Sequence, residues 1–185
     1  RFRGLQVENL ESRQLLSATP WGAAPLDTAE YLLGDVGVTL VLMESQGAVS
    51  SEDWTAQSII DAKDKVAEGL QWWEDTLAAH SSVHSLNFVL DTTYADNPVP
   101  TSLEPIANVS NSYVTWVNEF LTHAQANTAE GISTDIRLFN DSQRVALDTH
   151  WAFTIFVVND ENDSDGKFAS GGSFSRAFAF PGGQF

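Results

Sequence analysis

The strongest constraint on the fold is a continuous apolar run, Gly37–Met43 (GVTLVLM), set in front of a long helical stripe. A run without polar alternation, rich in β-branched residues, predicts a strand buried on both faces, as parallel sheets require. Behind it Ile59, Ala62, Val66, Leu70, Trp73 and Leu77 recur at steps of three and four, which places them along one face of a helix. Ser50–Asp53 offers a Ser-x-x-acid start for that helix. Leu86–Leu90 (LNFVL) is a second apolar run. Strand, helix and strand in this order predict a parallel pair joined by a right-handed crossover.

The rest of the body extends the same pattern. Asp91–Pro105 carries three prolines and reads as loop. Tyr113, Val117, Phe120, Leu121 and Ala124 share a face of a second helix over Ser110–Ala124. Asp135–Phe139 is a short strand candidate, and Asn140 or Asp141 could cap a brief helical turn after it. In Trp151–Asn159 the residues Phe153, Ile155 and Val157 alternate with Thr154, Phe156 and Val158. Both faces are apolar, which predicts a central strand. Phe174, Arg176, Phe178 and Phe180 alternate with Ser175, Ala177 and Ala179, the period of a last strand with one bulky and one small face. The expected fold is α/β (α+β): a mixed, mostly parallel sheet with two main helices and an antiparallel edge strand. It spans residues 37–185, after a leader (1–24) and a linker (25–36), with the Pro and Gly punctuation of a linker over Thr19–Pro25.

Composition narrows the partners. Twenty-five acidic against nine basic residues give a net charge of −16, and such a surface repels phosphate backbones, so no nucleic-acid partner is expected. The absence of cysteine removes disulfides and thiol chemistry. No apolar run approaches the ~18 residues of a membrane span, so none is expected.

Few residues carry chemistry outright. The acidic turn Asn159–Gly166 places Asn159, Asp160, Asp163 and Asp165 where oxygen ligands could wrap a calcium ion. The same composition also suits a plain turn, since Asn, Asp and Gly tolerate turn dihedrals. His80 and His84 have the i, i+4 spacing of a zinc helix, but Ser81 stands where a metalloprotease carries its glutamate base. They read as solvent-facing histidines at a helix end. Trp72–Trp73 could form a sugar platform, but Trp73 belongs to the core stripe. No G-x-S-x-G elbow occurs.

Two resemblances add to this. Leu10–Ala18 (LESRQLLSA) resembles the LEPR-XLL motif of large exported planctomycete-type proteins, with Ser12 where that motif has proline. It implies a secreted or cell-surface protein. Val38–Phe185, and most specifically Trp151–Phe180, resembles the region upstream of the zinc helix in secreted bacterial zincin-type (HExxH) metallopeptidases. That resemblance implies an antiparallel edge strand that pairs with an extended polypeptide substrate. The role would fall on Phe174, Ser175, Arg176, Ala177, Phe178, Ala179 and Phe180. HExxH does not occur in the sequence. Zinc is therefore expected only in a full-length parent, with its ligands beyond Phe185, and the 185 residues are expected to be inactive by themselves. The alternative is a non-enzymatic secreted surface module, calcium-bound at the acidic turn.

Overall fold

Val36–Met43 lies almost wholly out of solvent at the centre of the sheet, because strand β1 (Gly34–Ser45) is flanked on both edges and covered on both faces. The computed structural model describes residues 23–24, 26–45, 52–80, 83–180 and 185. The LEPR-XLL-like run and Ser50 of the expected helix start lie outside them. β1 is followed by α1 (Ala56–Ala79), β2 (Leu86–Asp91), a one-turn α2 (Thr93–Asp96) and β3 (Val99–Thr101). Then come α3 (Tyr113–His123), α4 (Ile132–Ala146) and β4 (Trp151–Val158). α2 and β3 fall inside the expected 91–105 loop.

β2 pairs with Gly34–Thr39 of β1, and β4 with Val36–Met43, so the two lie on opposite edges. β3 joins β1 at Met43–Ser45. All three pairings are parallel. The expected α/β fold with a mostly parallel sheet is what forms.

Side-chain alternation along β1 builds two cores. Leu40 and Leu42 face Ile59, Ala62 and Val66 of α1. Val41 and Met43 face the other way, toward Trp116, Phe120 and Leu121 of α3 and Phe139 of α4. Helices thus cover both faces, the arrangement parallel strands need. α1 starts at a capping box: Thr55 Oγ1 accepts the Ser58 N–H at 3.1 Å, and Ser58 Oγ accepts the Thr55 N–H at 2.8 Å.

Four local expectations are corrected. Asp135–Phe139 is helical, inside α4, and Asn140 and Asp141 sit in mid-helix. Its buried face carries Asp135, Asn140 and Arg144 beside Ile136 and Phe139. The polar members hide the helical period from an apolar count. They are stabilised inside: Asn140 Oδ1 accepts the Thr154 hydroxyl at 2.7 Å, and Arg144 pairs with Asp141. Trp73 is half exposed, edge-to-face with Trp72 at 4.9 Å between ring centroids. Periodicity locates a face but not how far the layer beneath it extends.

β4, expected to be central, is an edge strand: it pairs with β1 alone among the described residues. Its two apolar faces are accounted for by the two cores, with Ile155 and Val157 on the α1 side and Phe156 and Val158 on the α3 side. Finally, Phe174–Phe180 forms no strand. Its amides bond elsewhere, Phe174 N–H to Ser110 Oγ at 3.0 Å and Phe180 N–H to the Phe185 carbonyl at 3.1 Å, and the preceding Ser173 N–H bonds Asn111 Oδ1 at 2.8 Å. The alternating rings stack on each other instead of lining a pleat, Phe174 on Phe178 at 5.3 Å and Phe178 against Phe180 at 4.8 Å.

Candidate functional site

The outer edge of β4 opens onto a groove of about 730 Å³. At its amino end the edge is closed, where the Ala152 N–H donates to the Thr28 carbonyl at 2.7 Å and Tyr31 packs edge-to-face on Trp151 at 5.4 Å. Backbone amides alternate in direction along a strand, so those of Thr154, Phe156 and Val158 turn to the same outer side as Ala152. No strand pairs with them among the described residues.

One wall of the groove is Ile106, Tyr113 and Trp116. Trp116 is 6% exposed, and its indole N–H has no acceptor among the described residues. A buried donor without a partner is costly, on the order of 1–3 kcal/mol. The facing wall is the carboxyl-terminal segment, with Phe168, Phe174, Phe178, Phe180 and Phe185. Tyr113 joins the two through Phe180 at 4.9 Å. Phe180 and Phe185 stack at 4.2 Å. The residues from Phe174 to Phe180 expected to act at an edge, Ser175 apart, therefore line the groove as a wall, and β4 supplies the edge. The wall is anchored at Gly172, where a Cβ would lie 2.6 Å from the Ser110 backbone nitrogen. Tyr113, Trp116 and Phe168 were not singled out as site residues from sequence, where Tyr113 reads only as part of the apolar face of a helix.

The acidic turn follows β4 at the same end. Asp163 Oδ1 accepts the amides of Asp165 at 3.0 Å and Gly166 at 2.8 Å, and these bonds hold its carboxyl below the usual range. Asn159 Nδ2 donates to the Asp53 carbonyl at 3.0 Å, and its Oδ1 accepts the Glu161 N–H at 3.0 Å. Asp165 meets Lys167 at 3.3 Å, and Asp160 lines the groove. These are turn contacts. Among the described residues no three His, Cys, Asp or Glu side chains gather to hold a metal. His80 caps the end of α1 and His84 lies past it, so their spacing is not helical spacing.

A second polar cluster, not recognised from sequence, sits where β1 ends. Glu104 Oε2 accepts the Ser45 hydroxyl at 2.7 Å and the Glu52 amide at 3.3 Å. Glu52 Oε2 accepts the Asn162 amide at 2.6 Å. Glu44 Oε2 accepts the Trp54 N–H at 2.8 Å. Burial, then the neighbouring Asp53 and Glu104 charges, push the Glu44 carboxyl above its ordinary value of 4.5. The folded protein thus holds this proton more tightly than the unfolded chain. Stability associated with Glu44 falls as pH rises through the window above 4.5. Glu44→Gln keeps an acceptor for Trp54 and removes the charge. It is expected to flatten that fall and to melt higher at neutral pH; melting curves from about pH 4 to 8 check it.

Set against protein-family models, curated proteins and solved structures, the chain matches none of them.

Proposed function

We propose that the chain is the polypeptide-binding part of an exported zincin-type metallopeptidase, with an extended stretch of substrate lying along the outer edge of β4. The observation that carries this reading is the open edge from Phe153 to Val158, which faces an apolar groove instead of another strand. A strand edge with free amides and carbonyls is a template for an added strand, which main-chain bonds hold and side-chain pockets select. The strand–helix–strand start from β1 to β2 agrees with what the zincin resemblance implies, and the Leu10–Ala18 run supports export.

Cleavage chemistry is not assigned to these residues. No zinc-binding group forms among those described, and a zinc-dependent step belongs to the parent chain in this proposal. The calcium-bound surface module rests on the acidic turn alone, where Asp163 already serves backbone amides.

The test is binding of extended peptides, followed by amide hydrogen exchange. Protection is expected at Thr154, Phe156 and Val158. N-methylating alternate peptide residues should weaken binding at least about tenfold, from the loss of two or more main-chain bonds. Trp116→Phe, which removes a buried donor without an acceptor, should leave the melting temperature unchanged or higher. Binding that ignores N-methylation and leaves those amides unprotected would sink the proposal.

A further inference from the structure

Resting on the polypeptide reading above, we infer that the groove selects an apolar segment of about six residues with basic residues at both of its ends. The length follows from Phe153–Val158, six residues on one edge, or roughly 20 Å of extended chain. The apolar character follows from the walls, aromatic on both sides.

The ends follow from charge. Beside the closed amino end of β4 stand Glu30, exposed, and Asp27, half-buried, in the segment that lends Ala29 and Leu32 to the groove. Asp35 lies at the same end, and His150 there accepts the Asp35 N–H on Nδ1 at 3.1 Å. At the other end stand Asp160, Glu161, Asp163 and Asp165. Lys167 meets Asp165 at 3.3 Å, and Arg176 donates to the Asp165 carbonyl at 2.8 Å. Four carboxylates therefore face two cations at the carboxyl end, and at the other Arg144, which donates to the Asp27 carbonyl at 3.3 Å and pairs with Asp141, stands against the three carboxylates of Asp27, Glu30 and Asp35.

A second copy of the chain is the obvious competitor for an open edge, but it fits badly. Two copies paired antiparallel along β4 would bring the acidic turn at the carboxyl end of each against the Asp27, Glu30 and Asp35 end of the other, and each carries −16 overall. Like charges within a Debye length of about 8 Å repel. The same field draws a basic-flanked peptide in.

The experiment uses the full chain and two synthetic peptides. Each has a six-residue core of alternating valine and threonine; one carries two lysines at each end and the other two glutamates. At low salt the lysine-flanked peptide is expected to bind on the order of tenfold tighter, and the gap should close at high salt. Asp160→Asn combined with Glu161→Gln should cut the preference about threefold. Equal affinity for the two peptides would overturn the flank preference while leaving polypeptide binding intact. Failure of both peptides to bind would remove the polypeptide reading along with it. A dimer in sedimentation whose formation protects Thr154, Phe156 and Val158 would show that the occupant is a second copy instead.

Discussion

Phe120→Ala is expected to destabilise the protein by about 3–5 kcal/mol and to lower its melting temperature by roughly 6–20 °C. Phe120 is fully buried and is where four elements meet. Its ring contacts Tyr94 of α2 at 5.1 Å, Phe139 of α4 at 5.0 Å and Phe156 of β4 at 5.1 Å, each edge-to-face. Truncation removes apolar burial and three ring contacts together and leaves a hole that helices on either side cannot close. Val114→Ala on the same helix, at a position 45% exposed, should change stability by less than about 0.5 kcal/mol. Denaturant unfolding of both variants decides the matter. A loss below about 1 kcal/mol at Phe120 would mean this core is not packed as described.

The second large effect concerns the groove wall. Gly172→Val would set a branched side chain against the Ser110 backbone nitrogen, 2.6 Å from the Cβ position, and closer still to its hydroxyl. Ser110 is fully buried and opens the helical turn before α3, so it has little room to retreat. The strain passes to Phe174, whose amide bonds the Ser110 hydroxyl, and then through the stacked rings to Phe178 and Phe180. Overpacking of this kind costs about 1–3 kcal/mol. The local result should be larger than the global one: faster protease cutting within 166–180 and at least a tenfold loss of peptide affinity, with most of the melting temperature retained. Unchanged proteolysis and unchanged peptide affinity would show that the wall is not held through Ser110.

Much of the fold was legible in residue periods. Gly37–Met43, the α1 stripe, Leu86–Leu90 and Trp151–Asn159 each carry a strong apolar signal, and each forms the expected element. What sequence hid were relations between elements. α4 buries Asp135, Asn140 and Arg144, so its inner face looked polar until Thr154 and Asp141 were seen opposite. Apolar residues on both faces of β4 reported two covered faces and said nothing of its edges. The same alternation in Phe174–Phe180 that suits a strand also suits rings stacked two and four residues apart, and only the anchoring at Ser110 and Asn111 decides between them. The site was half visible for this reason. Its aromatic residues could be read, but an open edge is a property of what lies beside a strand.

The central place of β1 bears on how the chain is made. Its partner β4 is encoded about 115 residues later, since Val36 pairs with Trp151. At 5–20 residues per second a ribosome needs roughly 6–23 s to bridge that gap. Throughout that interval the most apolar strand of the protein has one edge unsatisfied, and until α3 and α4 emerge late in it a second face is uncovered as well. β2 and α1 can dock early, but they protect a single edge and face. Newborn β1 is thus the segment on which a holding chaperone would act, and the point from which a stalled or truncated chain would aggregate.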